Sequence, residues 1–352
     1  MQVLALWETA GLSLTRANPY AGLLARAMEK HGVHTEAGYF ENLTPEWIRA
    51  NRGKVDVLHV HWPWAIYRGA TLEETIKRCA AVVDAFVLAR SLGYKVVWTM
   101  HNLYPHDTQN LDLDHLARLA ITSCASAVIV HCVHARRLLE RKFHRTGGVF
   151  QAPHGHFCDA YPNAVGRKEA RARFGFDESH FVYLFFGTLR ANKGVEQLLE
   201  LFPALKGDNL RLLLAARTRN DYGASIIDRA RKADSRIVLT ESDFYANEDF
   251  QWFYNAADIA VFPYSDILTS GSAVTSLSFH CPVLVPRVGC LPEQVNDSVG
   301  VLYDPADPAA LAQALDRVRH LNRDAMRPAI EQHLREISWE GISRTTLDAY
   351  GA

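Results

Sequence analysis

Two rhythms alternate along nearly the whole chain. Short runs rich in Val, Ile, Leu and Phe are separated by longer stretches whose apolar residues recur every three or four positions. Continuous apolar runs predict strands buried on both faces, and the spaced pattern predicts helices packed over them. In the first part of the chain the runs predict strands at Val3–Trp7, Val55–Val60, Lys95–Met100 and Ala127–His131. Asn18 and Pro19 predict a helix start, Leu23, Leu24, Ala27 and Met28 its buried face, and Gly32 its end. Further helices are predicted at about Leu72–Leu92, Leu113–Ser123 and His134–Phe143.

A polar break with Pro162 and Gly166 follows at about Tyr161–Arg171, and the alternation then restarts. Strands are predicted at Phe181–Phe186, Leu210–Ala216, Arg236–Leu239, Asp258–Phe262, Pro282–Pro286 and Gly300–Tyr303. Helices fill the gaps, including Pro308–Arg319, and a last helix covers Ser338–Tyr350 with Trp339 and Leu347 as anchors. Strand–helix–strand order predicts an α/β fold of two doubly wound parallel sheets. The length of 352 residues fits two cores better than one. Ligands of such sheets bind outside the carboxyl ends of the strands, so two facing sheets place an active site in the cleft between them.

Composition narrows the function. A formal net charge of -1 gives no whole-molecule attraction to nucleic acid, so an anionic ligand must be held by local charge. Six cysteines without a CxxC pair suit a reducing cytoplasm. No secretory leader is evident, and no apolar run reaches the roughly 18 residues of a membrane span.

Two segments in the second half carry chemistry. The strand Phe181–Phe186 runs into Gly187-Thr188-Leu189-Arg190-Ala191-Asn192-Lys193-Gly194. Gly187 lets the backbone turn, and Arg190 and Lys193 project from a strand's carboxyl end. That suits a diphosphate, whose leaving charge needs stabilising; the bland alternative is a solvated basic loop. The second segment contains Asp266, Thr269, Ser270, Gly271 and Ser272 and opens a helix. A start made of small residues exposes backbone N–H groups and a positive dipole end, a ready phosphate site. Ser270 also reads as a plain N-cap, and the two readings are compatible.

The Gly187–Gly194 segment, Pro282-Val283 and Gly289-Cys290-Leu291-Pro292-Glu293 resemble the donor-binding half of family 4 glycosyltransferases and their GT-B relatives. His59-Val60-His61-Trp62-Pro63, Trp98-Thr99-Met100-His101-Asn102-Leu103-Tyr104-Pro105-His106-Asp107 and Pro153-His154-Gly155-His156 are similar to bacterial exopolysaccharide glycosyltransferases. The resemblance implies two Rossmann-like domains facing across a cleft, with an acceptor domain at 1–163 and a donor domain at 164–337. It also implies that the final helix, 338–352, crosses back to the first domain. The implied activity is transfer of a hexosyl unit from a UDP- or GDP-sugar, with no further cofactor. The implied acceptor is a saccharide or lipid-linked saccharide in cell-surface polysaccharide synthesis. Glu293 and Thr275 join Gly187, Arg190, Lys193, Asp266, Thr269, Ser270, Gly271 and Ser272 as donor-binding candidates, with Ser276 an alternative to Thr275 on the ribose.

The chain departs from the family at one point. Retaining family 4 enzymes carry two glutamates eight positions apart; here those positions fall at Ile267 and Thr275, and only Asp266 lies near the first. The departure favours inversion over retention. An inverting transfer needs a base for the acceptor hydroxyl, expected from the first domain. Asp107 is the first candidate, His101 the second and His106 the third, with Glu8 a further one. Other readings on the same fold are a retaining transferase, a nucleotide-sugar epimerase and an inactive module that only binds a partner. A Rossmann dehydrogenase is disfavoured because no GxGxxG follows the first strand.

Two further features stand out. His59 and His61 share a strand face, and His154, His156 and Cys158 cluster in sequence. Neither group has a further ligand at convincing spacing, so no metal is expected and the histidines are predicted to line core or cleft. The helix around His134–Arg145 carries Arg136, Arg137, Arg141, Lys142 and Arg145 opposite Ala135, Leu138, Leu139 and Phe143. It reads either as a solvated face or as a contact for an anionic membrane surface, which suits peripheral attachment to the inner face of the plasma membrane.

Overall fold

A computed structural model describes residues 1–352 apart from 8–10, 16–17, 106–107 and 219. In chain order the elements of the first half are β1 (Gln2–Leu6), α1 (Tyr20–Glu29), β2 (His34–Gly38), α2 (Pro45–Ala50), β3 (Val57–Val60), α3 (Pro63–Tyr67), α4 (Leu72–Ser91), β4 (Lys95–Met100), α5 (Leu111–Cys124), β5 (Ala127–Val130), α6 (Val133–Phe143) and β6 (Val149–Gln151). The second half continues with α7 (Arg167–Arg173), β7 (Phe181–Thr188), α8 (Val195–Leu201), β8 (Leu210–Arg217), α9 (Asp221–Ala233), β9 (Ile237–Glu241), α10 (Phe250–Ala256), β10 (Ile259–Val261), α11 (Gly271–Ser278), β11 (Val283–Pro286), α12 (Leu291–Gln294), β12 (Gly300–Tyr303), α13 (Ala310–Arg317), α14 (Arg323–Glu336) and α15 (Trp339–Gly351).

The chain forms two compact units, Met1–Gly155 with Ser338–Ala352, and His156–Ile337. The first is built on a parallel six-stranded sheet of order β2-β1-β3-β4-β5-β6. Its interior strands are mostly apolar; Val96, Val97, Trp98 and Met100 of β4 and Ala127 to Val130 of β5 are fully buried. The two flanking strands escape a periodicity reading. β2 is mostly half-exposed, and β6 is three residues long. The second unit is built on a parallel six-stranded sheet of order β12-β11-β10-β7-β8-β9.

Local chemistry sets the helix ends. Asn18 Oδ1 accepts a hydrogen bond from the Tyr20 N–H at 3.0 Å beside Pro19, which opens α1. α15 belongs to the first unit and packs on α1, β4, β5 and β6. It buries Trp339, Ile342, Ser343, Thr346, Ala349 and Tyr350. Leu347, expected as an anchor, is only half-buried, because the inward face follows positions 339, 342, 346 and 350. Gly155 explains part of its motif: a Cβ there would lie 2.6 Å from the Trp339 ring. Only glycine lets that ring approach the backbone.

α6 is shorter than its basic stretch. It ends at Phe143, and His144 closes it in the left-handed conformation with φ 53°. Arg145 therefore lies beyond the helix, half-buried, and donates to Ser126 O at 2.8 Å. Arg136 donates to Val149 O at 2.6 Å. The outward cations are Arg137, Arg141 and Lys142.

Candidate functional site

In the second unit three loops meet at the carboxyl ends of β7, β10 and β11. The first leaves β7 through Gly187, with φ 152°, and ends at Gly194, with φ 65°. A Cβ at Gly194 would stand 1.9 Å from Pro263 O, so glycine is required both by conformation and by contact. The second loop, after β10, is tied to the first by Ser265 N to Asn192 O at 3.1 Å and by Asn192 Nδ2 to Asp266 O at 3.0 Å. The third is tied to the second by Cys290 N to Leu268 O at 2.8 Å and by Ser270 N to Gln294 Oε1 at 3.2 Å.

This bracing brings the predicted donor residues together. Lys193 Nζ lies 4.5 Å from the ring centroid of Tyr264 and 3.4 Å from its hydroxyl. Among the described residues no carboxylate pairs with that ammonium. The Tyr264 hydroxyl lies 2.8 Å from Ser270 Oγ, which caps α11 by accepting from Ala273 N at 3.1 Å. The cap satisfies the third N–H of α11. Among the described residues the first two, on half-exposed Gly271 and Ser272, have no protein acceptor. A cation on an aromatic ring near two open N–H groups at a helix start is chemically suited to an anion.

The other predicted residues take distinct places. Arg190 is half-buried within the first loop. Asp266 and Glu293 are exposed, and Thr269 is buried. The Thr275 hydroxyl donates back to Gly271 O at 2.8 Å, so its proton is committed within the helix. Ser276 is fully buried and donates to Cys281 O, which removes it from ribose contact. Ile267, one of the two positions where a glutamate was missed, is buried at 8% exposure. Tyr264 and Gln294 were not singled out from sequence. Their roles depend on which loops touch, which residue type alone does not reveal.

In the first unit, five histidines collect at the carboxyl ends of β3 to β6. His59, His61, His101, His131 and His154 are each no more than 5% exposed. His59 bonds Tyr350 Oη and Thr99 Oγ1, both at 2.8 Å. His131 Nδ1 lies 2.9 Å from Ala152 O, His131 Nε2 lies 3.0 Å from His101 Nδ1, and His101 Nε2 lies 3.1 Å from His61 Nδ1. A carbonyl only accepts, so His131 Nδ1 donates to it. The neutral ring then accepts at Nε2 from His101 Nδ1–H, and His101 accepts at Nε2 from His61 Nδ1–H. Three imidazoles thus share one tautomer and form a directed chain ending on the backbone.

Burial keeps these rings neutral. Desolvation lowers His59 and His154 to about 3 and His131 to about 4, and His61 and His101 fall well below the usual histidine value, with neighbouring histidines adding to the effect. Both nitrogens of His101 are engaged, so proton uptake there requires breaking one of the two bonds. Asp107 and His106, the other base candidates, and Glu8 lie outside the described residues. His61, His101 and His131 bond in a chain, His59 bonds Tyr350 and Thr99, and His154 Nδ1 lies 3.0 Å from Gly155 O, so the five rings do not converge on a point. No group of three or more His, Cys, Asp or Glu among the described residues is arranged to hold a metal ion.

The family described as glycosyl transferases group 1 matches residues 180–320, the stretch that holds all three loops. The chain is a glycosyltransferase. Its fold is GT-B, as in sucrose-phosphate synthase from Thermosynechococcus elongatus, with a TM-score of 0.76 at 18% identity over 99% of this chain and 98% of that one. Anabaena HepE, solved in complex with UDP and glucose, matches this glycosyltransferase with a TM-score of 0.75 at 15% identity over 100% and 99% of the two chains. In sequence it is similar to the GDP-mannose:glycolipid 4-beta-D-mannosyltransferase of Xanthomonas campestris pv. campestris. The two are 26% identical over 317 residues, covering 85% of this chain and 81% of the relative.

Proposed function

We propose that this glycosyltransferase moves a hexosyl unit from a GDP- or UDP-sugar to the saccharide of a glycolipid, with inversion, in cell-surface polysaccharide synthesis. The observation that carries the reading is the Lys193 ammonium held on Tyr264 beside the open N–H groups of Gly271 and Ser272. A departing nucleoside diphosphate brings two phosphates that need this stabilisation. Arg190, from the same loop, supplies the second cation. The name of the Xanthomonas relative favours a GDP-sugar donor, a glycolipid acceptor and a β-linked product.

Inversion is favoured by the apolar Ile267 and by Thr275 at the positions where retaining relatives carry glutamates. Asp107 is the proposed base. The engaged nitrogens of His101 suit a residue that positions the acceptor loop rather than one that takes the proton. No described helix is long and apolar enough to cross a membrane. Arg137, Arg141 and Lys142 on α6 are proposed to meet anionic lipid headgroups at the cytoplasmic face.

The test is to incubate the protein with α-configured GDP-mannose and UDP-glucose and lipid-linked acceptors, and to read the new linkage by NMR. A β-linked product supports the reading. An α-linked product overturns inversion, and no sugar transfer from any donor overturns the reading itself.

A further inference from the structure

We infer that a cavity between α3, α4 and α5 binds the sugar headgroup of a glycolipid, with its lipid lying along aliphatic side chains of α4 and α5. The inference rests on the sugar-transfer reading for the ligand's class alone; the cavity and its chemistry are independent of it. Its volume is about 120 Å³, a size for one sugar ring rather than an oligosaccharide.

The cavity's polar end is a built arrangement. Asp114, in the first turn of α5, is 5% exposed, and one of its oxygens accepts a short hydrogen bond from the Tyr67 hydroxyl. Behind them Arg118 is 1% exposed and donates to the Tyr67 hydroxyl at 3.3 Å. Its guanidinium lies 5.9 Å from the Tyr67 and Trp98 ring centroids. Burial raises the Tyr67 hydroxyl above its usual range, so it stays protonated and remains a donor. The order Arg118 to Tyr67 to Asp114 fixes the carboxylate. Among the described residues its second oxygen has no protein donor, and Asp114 lines the cavity. Gln109 and Asn110 add amide groups. A carboxylate and amides around a small hollow match the donors and acceptors of a sugar ring.

The rim is rigid. Gly69 N donates to Thr75 Oγ1 at 3.0 Å, Thr75 Oγ1 donates to Thr71 O at 2.8 Å, and Ala70 N donates to Glu74 Oε2 at 2.8 Å.

The cavity's other end is apolar and leads outward. Leu72 on α4 and Leu113 on α5 line it. One turn along each helix stand Ile76 and Leu116, positions that share a face with Leu72 and Leu113. Leu72, Ile76 and Leu116 are 54%, 50% and 61% exposed, and α4 packs against α5. Exposed aliphatic side chains beside a polar hollow fit an amphiphile, with sugar inside and hydrocarbon along the helices. α5 also packs against α6, the helix that carries Arg137, Arg141 and Lys142.

The test uses the full chain and octyl glycosides of glucose, galactose and mannose below their micelle concentrations, each paired with its methyl glycoside, with binding read by calorimetry. At least one octyl glycoside is expected to bind at a single site, more tightly than its methyl partner. Leu72→Ser with Ile76→Ser should bring the octyl affinity down to the methyl value. Asp114→Asn, which keeps an acceptor for Tyr67, should weaken both by about tenfold or more. Gln109→Ala on the exposed loop serves as a second polar variant if Asp114→Asn does not fold. Equal binding of octyl and methyl partners, or octyl binding untouched by these variants, overturns the inference. GDP and UDP binding measured on the same samples is a separate readout. Its absence in the wild type removes the donor reading, while the glycoside result still decides the cavity.

Discussion

The Lys193 ammonium sits 4.5 Å above the Tyr264 ring, and the Tyr264 hydroxyl reaches Ser270 Oγ at the start of α11. One aromatic side chain thus links the cation from the loop after β7 to the helix start after β10. Tyr264→Phe keeps the ring under the ammonium and loses only the hydroxyl contact, whereas Tyr264→Leu removes the ring. The leucine variant is expected to weaken GDP and UDP binding more than the phenylalanine variant, by about 0.5–2 kcal/mol. Calorimetric titration of both nucleotides checks the order; equal losses would assign the effect to the hydroxyl.

The buried histidines make the first unit sensitive to acid. Each is neutral in the folded protein, with its pKa below the unfolded value of about 6.5. Below that value the unfolded chain binds protons that the folded chain refuses, so stability is full above about pH 6.5 and falls as pH drops toward 4. His131, lowered to about 4, contributes on the order of 3 kcal/mol to that loss. Urea unfolding followed by tryptophan fluorescence reports mainly on this unit, because Trp252 is the only tryptophan in residues 156–337. The midpoint should decline between pH 6.5 and 5, above the range where ordinary carboxylates titrate. A midpoint constant over that window contradicts the neutral histidine array.

The buried strands and the Gly187–Gly194 loop were legible in sequence because each is local. An apolar run states its own burial, and Arg190 and Lys193 declare a cationic strand end. The missed features are relational. β2 shows polar residues on one side and gives no continuous apolar signal. His59 and His61 predict a shared face. That His101 and His131 extend a hydrogen-bonded chain from His61 depends on β3, β4 and β5 lying side by side with their carboxyl ends level. The cationic stretch at His134–Arg145 looked uniform, yet Arg136 and Arg145 are spent on backbone carbonyls. Charge in a sequence does not tell a solvated cation from a structural one.

The proposed base is tested by separating turnover from binding. Asp107→Asn keeps the shape and removes the basic oxygen. It is expected to lower kcat by about 10²–10⁴-fold while nucleotide binding stays at the wild-type value. His101→Asn should lower kcat less and leave the pH profile of kcat in place, as for a positioning residue. Full activity in Asp107→Asn with loss in His101→Asn passes the role to His101.

Membrane attachment through α6 predicts a dependence on lipid charge. Vesicle flotation with anionic and neutral lipid should show binding only to the anionic set. Replacing Arg137, Arg141 and Lys142 with Glu should abolish it, each cation contributing about 1 kcal/mol. Equal binding to both vesicle types, or none, removes α6 as the contact.

The account rests most heavily on the proposed diphosphate cradle, and donor affinity tests it most directly. GDP-mannose and UDP-glucose are titrated into the wild type, Arg190→Ala and Lys193→Ala, with circular dichroism to verify the fold. The cradle predicts that one donor binds the wild type and that each variant loses on the order of 1.5–3 kcal/mol of that affinity with its fold intact. Unchanged donor affinity in both folded variants would contradict it.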